Sequence, residues 1–207
     1  MALSLHVLSQ EATVAKAEDR LVRLNAAIAS GAAPNISVRD MALDAPPRAR
    51  LADALALSRA AQFTLDDTQE RTALLDSALA RLQSIGNTRP YWGEFWSTRA
   101  FAQSMRLGPR ATKVRESLNR SYRDAPYLSR AGAWRIAYGF AYWNDLNDLT
   151  QDRVLNEAVW LARSSPVMLD SVLTLARQSP AYRAYVVHWM AARQGDIDFR
   201  PLQRTAP

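Results

Sequence analysis

Few residues in this chain are placed to do covalent or metal chemistry. The two histidines, His6 and His188, stand far apart, and a catalytic triad or zinc site needs closely matched partners. His188, beside Val186, Val187 and Trp189, reads as a packed or half-exposed side chain. The densest acidic patch is Asn144-Asp145-Leu146-Asn147-Asp148 followed by Asp152. It lacks the central glycine and terminal bidentate glutamate of a calcium loop, so helix capping by Asp148 or Thr150 is the simpler role. Glu94 sits among aromatic residues, where burial would raise a carboxyl's pKa. Without a second placed carboxylate it makes no glycosidase pair, and an ion pair with Arg89 or Arg99 is expected. There is no glycine-rich phosphate loop, dinucleotide fingerprint or Gly-x-Ser-x-Gly elbow. Cysteine is absent, which removes disulfides and thiolate metal sites. The expectation is a non-enzymatic protein with no catalytic residues, metal or cofactor.

Charge is the stronger signal. Between Arg106 and Arg135 stand eight basic residues and two acids, a net +6 that equals the charge of the whole chain. Such local concentration favours an anionic partner. Arg110, Lys113, Arg115, Arg120 and Arg123 are the candidate contacts, arginine being suited to bidentate recognition of carboxylate or phosphate. A solvated basic face without a partner is the alternative. Twelve of the eighteen aromatic residues fall between Tyr91 and Trp143. They read first as a core around residues 90–145. A second reading makes Trp92, Trp96, Trp134 and Trp143 an aromatic groove whose flat faces stack on sugars or bases.

These residues must be carried by helices. Alanine, leucine and arginine dominate, glycine is scarce, and alternating apolar runs are missing. The first helix is expected over about Ser9–Ser30, with Val14, Ala17, Leu21, Leu24 and Ile28 as its apolar stripe. A polar connection, Asn35–Ala45, precedes a helix opened by Pro46-Pro47 and running to about Gln62. Asp67-Thr-Gln-Glu70 resembles a capping box, and the helix after it buries Leu75, Ala78, Leu79, Leu82 and Ile85 before stopping at Gly86-Asn87. Pro90 should open the next, to Leu107. The basic helix then runs from Arg110 to Asp124, with Val114, Leu118, Ser121, Tyr122 and Ala125 inward. Further helices are expected at about Leu128–Asp145, Gln151–Arg163, Val167–Gln178 and Ala181–Arg193. Leu161-Ala-Arg-Ser-Ser-Pro166 and Leu175-Ala-Arg-Gln-Ser-Pro180 should each supply a serine N-cap and a proline at the first helical position.

The fold class expected is therefore all-α: eight to nine helices in an array of antiparallel hairpins, a TPR-like α-solenoid. Short connections favour antiparallel neighbours, and Pro90 and Pro126 are spaced near the period of two-helix repeats. Residues 1–195 are expected to form one domain and 196–207 a flexible polar tail. No apolar run is long enough to cross a bilayer, and the opening residues are too short and too weakly basic for a signal peptide.

Several motifs together resemble a known family. They are Arg89-Pro90 before Trp92, Trp96 and Ala100; Ser117-Leu-Asn-Arg-Ser-Tyr122 leading into Ala125-Pro126-Tyr127; Trp134-Arg135; Trp143-Asn-Asp-Leu146; and the polar helix start at Thr150–Arg153. Over about residues 75–180 the chain resembles the tetratricopeptide-like accessory proteins of bacterial exopolysaccharide and O-antigen biosynthesis, of the Vps type. The resemblance implies a scaffold or regulator of a cell-envelope glycan-assembly complex, with protein partners and contact to acidic polysaccharide or anionic lipid head groups. It brings no catalytic residues. It implies the periplasmic face of the inner membrane, with the anchor absent from this chain; the cytoplasm is the alternative. A helical nucleic-acid-binding or regulatory protein is the competing reading, although no helix-turn-helix with a glycine turn is evident.

Overall fold

The computed structural model describes residues 2–32, 36, 44–64 and 67–195, with side chains described from Val7. The expected tail 196–207, most of the Asn35–Ala45 connection and the His6 side chain lie outside the described residues. Within them the protein is all-α: nine α-helices, one 3₁₀ turn and no strand. The chain divides into two compact units, Met1–Val114 and Arg115–Pro207.

The first unit holds α1 (Ala2–Ala29), α2 (Pro47–Phe63), α3 (Thr68–Gly86) and α4 (Gly93–Leu107). Pro47 opens α2, and Asp67 caps α3 by accepting the Glu70 amide at 2.8 Å, the first half of the expected box. The core joins α2, α3 and α4 through Leu57, Leu75, Leu82, Ile85, Phe95 and Trp96. Gly86 lies inside α3, with Asn87 as C-cap, and its small size has a packing purpose. A Cβ there would stand 3.0 Å from the Phe95 ring. Pro90 does not open α4 as expected. It sits in the preceding turn, where its carbonyl accepts the Trp96 indole N–H at 2.7 Å, and Trp92 is the N-cap.

One expected hairpin is absent. The pairs Glu18–Arg48, Arg20–Asp53 and Asn25–Arg59 rise together along α1 and α2, so these helices run parallel. A short link forces antiparallel neighbours, but the stretch from Ala29 to Pro47 is not short. The return from Ala29 to the level of Glu18 is roughly 16 Å, well within its reach. The seam is made mostly of small residues: Val14 and Ala17 against Ala45, Ala49 and Ala52. By contrast, Arg50–Ser84 with Asp53 beside Arg81, and Asp76–Arg106 with Gly86 against Phe95, make α2/α3 and α3/α4 antiparallel.

The second unit takes most of α5 (Thr112–Asp124), then α6 (Gly132–Ala141), the 3₁₀ turn Trp143–Asp145, α7 (Asp148–Ala162), α8 (Pro166–Arg177) and α9 (Tyr182–Gln194). The aromatic helix is thus shorter than predicted, and Pro126 precedes α6 by a turn rather than opening it. Contacts Arg135–Glu157, Gly139–Val154 and Trp143–Gln151 run in opposite senses along α6 and α7, so the pair is antiparallel. A Cβ at Gly139 would fall 2.6 Å from a Val154 methyl carbon, so glycine permits the close approach. Asn147, not Asp148 or Thr150, caps α7, accepting the Thr150 amide at 2.9 Å. Of the two matching serine-proline signatures, only the first caps as expected: Ser165 accepts the Met168 amide. Ser179 instead donates to the Phe140 carbonyl at the end of α6, at 2.6 Å, and accepts the Ala181 amide. A last-turn carbonyl without a helical partner takes the hydroxyl.

Candidate functional site: the arginine face of α5 and the buried charge clusters

The amphipathic pattern of α5 is realised at four of its five expected inward positions, Ala125 lying just past the helix and half-buried. Val114, Ser117, Leu118, Ser121 and Tyr122 are buried, while Lys113, Arg120 and Arg123 are exposed. Arg110, just before the helix, is also exposed; Arg115, on the flank, is half-buried. Arg110 and Lys113 belong to the first unit, and Arg115, Arg120 and Arg123 to the second. Arg115 lies near the Tyr138 phenol, and its charge opposes the burial that pushes that phenol up to about 12.

Part of the charge in the same basic window is committed within the protein. Arg106 donates to Asp76 at 2.7 Å, and Arg123 shares its Nε–H with Asp124 at 2.9 Å. Arg135 is wholly buried. It bounds the basic window of the sequence, but its role is internal.

Arg135 forms the centre of a polar cluster. Its Nε donates to Glu157 Oε2 at 2.9 Å, and Nη2 pairs closely with Oε1. Nη1 reaches Ser121 Oγ at 3.0 Å and the Ala125 carbonyl at 2.8 Å, while Nη2 reaches the Pro126 carbonyl at 3.2 Å. Glu157 also accepts the Tyr122 hydroxyl at 2.9 Å and the Leu128 amide at 3.0 Å. The guanidinium lies 4.1 Å from the Tyr122 ring centre. A Cβ at residue 132 would crowd Glu157 Oε1 at 2.9 Å, so Gly132 completes the chamber. Burial pushes the Glu157 carboxyl above its ordinary range, against the pull of Arg135, the Leu128 amide and Tyr122. Burial first, then the Glu157 charge, drives the Tyr122 phenol well up, so it remains a donor. The result clasps α5, the following turn, α6 and α7 together. The donors and acceptors of the cluster face each other.

A second cluster lies in the first unit. Asp53 of α2 is bonded to Arg20 of α1 and faces Arg81 of α3. Burial raises its carboxyl, with the two arginines opposing.

The four predicted groove tryptophans divide between the units. Trp96 is buried, 4.7 Å from the Phe95 ring centre, with Arg99 over its face at 5.5 Å; Arg89 covers Trp92 at 5.6 Å. The two arginines expected to pair with Glu94 thus lie over indoles. In the second unit Trp134, Tyr138 and Tyr142 stack along α6 with ring centres 5.4 and 4.9 Å apart, and Trp143 is half-buried in the 3₁₀ turn. Phe140 meets Tyr185 edge-on. His188 is half-buried, 2.9 Å from Asn156 Oδ1, and burial lowers its pKa despite Asp152. No group of His, Asp or Glu able to hold a metal occurs among the described residues, and no described helix is long and apolar enough to cross a membrane.

Glu157 is the residue sequence reasoning missed. Its signal was present: it follows Val154 by three positions and precedes Leu161 by four, a carboxylate inside an apolar stripe. Such a group demands a buried cation, and Arg135 beside Ile136 answers it. No family model matches the chain, and neither the curated proteins nor the solved structures provide a match. Fold and site together define an all-α protein whose buried ionisable clusters tie helices together and whose exposed arginines project from one helix.

Proposed function

We propose that the protein is a non-enzymatic interaction protein that holds an acidic partner on the outward face of α5. The observation that carries this reading is the division of that helix: its inner positions are filled and buried, while Arg120 and Arg123 project outward. The buried ionisable groups Asp53, Glu157 and Tyr122 are engaged with other protein groups. Guanidinium groups pair bidentately with carboxylates, which suits the uronates of an acidic polysaccharide. Antiparallel order over α2–α4 and again over α6–α7 is in keeping with a TPR-like scaffold. Together with the sequence resemblance it supports an accessory role in a cell-envelope polysaccharide synthesis or export complex.

The test is retention on an immobilised polyuronate. Wild type is expected to bind at low salt and elute as ionic strength rises. The triple change Arg115→Glu, Arg120→Glu, Arg123→Glu is expected to abolish retention with the helical circular dichroism intact. Equal retention of the triple variant would remove the α5 assignment.

A further inference from the structure

A different surface points to a second contact. α9 buries Tyr185 and Ala192, seven residues apart and therefore on one side of the helix. The opposite side follows the helical spacing through Arg183, Val187, Met190 and Gln194, all exposed. Val187 and Met190 are 62% and 57% exposed, and Tyr182 on the flank is 40% exposed. These are large apolar side chains left in water on a helix that had polar alternatives.

The charges of α9 itself have one sign, the carboxylate near His188 being Asp152 of α7. α9 contains Arg183 and Arg193 and no carboxylate, and His188 faces Asn156 of α7. On the neighbouring α8, exposed Val167 is accompanied by an exposed Asp170. An outward face of valine and methionine, with a tyrosine on the flank and an arginine towards each end, is complementary to a surface both apolar and anionic. We infer that α9 lies on the surface of an anionic lipid bilayer. Val187 and Met190 enter the boundary below the head groups, and Arg183 and Arg193 extend to the phosphates with their stems along the apolar layer. The face is the convex outside of a single helix, which fits a deformable sheet of lipid better than a peptide needing a groove. At about 20 Å, the helix is too short to span the hydrocarbon core and lies in its plane. This surface is separate from the α5 arginines, and its test is built to keep the two apart.

The experiment is cosedimentation of the full chain with vesicles of pure phosphatidylcholine or of phosphatidylcholine with phosphatidylglycerol. Wild type is expected to sediment with the phosphatidylglycerol vesicles and to stay in solution with the neutral ones. Val187→Asp with Met190→Asp, and separately Arg183→Glu with Arg193→Glu, should each weaken binding roughly tenfold or more, a basic residue near such a surface being worth about a factor of five. The α5 triple variant should bind these vesicles like wild type. The assignment fails if wild type ignores phosphatidylglycerol, if both α9 pairs bind unchanged, or if the α5 variant alone loses binding. It also fails if light scattering shows a dimer that Met190→Asp dissociates, since a second copy then covers the face.

Discussion

Each unit buries a carboxylate against arginine, and the two do so differently. Glu157 and Arg135 are both fully buried, and Glu157 collects Arg135, the Tyr122 hydroxyl and the Leu128 amide. Asp53 is almost as buried, but its Arg20 partner keeps a quarter of its side chain in solvent. The difference follows from what each cluster joins. In the second unit the pair must order a non-helical turn, and carbonyls of Ala125 and Pro126 turn inward to the guanidinium. In the first unit Asp53 sits on the seam between two parallel helices, where Arg20 reaches it from the rim. A charge can be taken wholly out of water only when its remaining lone pairs and protons are all met.

Breaking the deeper cluster should have the largest effect. Arg135→Met leaves Glu157 buried without its cation and should cost about 3–5 kcal/mol, read by urea denaturation of the full chain. Adding Glu157→Leu should restore only part of that loss: it removes the unpaired buried charge but leaves the Tyr122 hydroxyl, the Leu128 amide and the Ala125 and Pro126 carbonyls without their partners. A double variant as unstable as the single would show that the cluster adds more than charge pairing. Asp53→Asn should cost less, about 1.5–3 kcal/mol, since Arg20 can turn to water. A loss at position 53 equal to that of Arg135→Met would erase the distinction between the units. The smallest effect is at Tyr185, whose buried hydroxyl has no hydrogen-bond partner among the described residues and whose phenol burial pushes up to about 12. Tyr185→Phe should leave stability within about 0.5 kcal/mol of wild type, or raise it, because it removes an unmet polar group.

The all-α class and most helix ends were legible because they rest on local chemistry: Pro47, the Asp67 cap, Ser165 before Pro166, and the apolar stripe of α5. The failures share a cause, which is that distant partners decide them. Ser179 looks like a cap until the Phe140 carbonyl is near. Gly86 looks like a stop until Phe95 packs on it. Pro90 looks like a helix start until Trp96 bonds back to its carbonyl. The direction of α2 relative to α1 is set by contacts along the two helices, such as Arg20–Asp53, and not by local propensity. At the candidate site, the outward arginines were readable from periodicity. Arg135 adds to the basic window but not to the surface, because a count over a window does not distinguish the two sides of a helix.

The central claim is a division of labour, with buried ionisable groups holding helices together and exposed arginines on α5 meeting the partner. The measurement that tests it most directly sets unfolding free energy beside polyuronate retention for two variants of the full chain. Arg135→Met with Glu157→Leu should shift stability and keep retention, while the Arg115/Arg120/Arg123 reversal should keep stability and lose retention. The account is contradicted if the folded double variant loses retention or the surface reversal retains it.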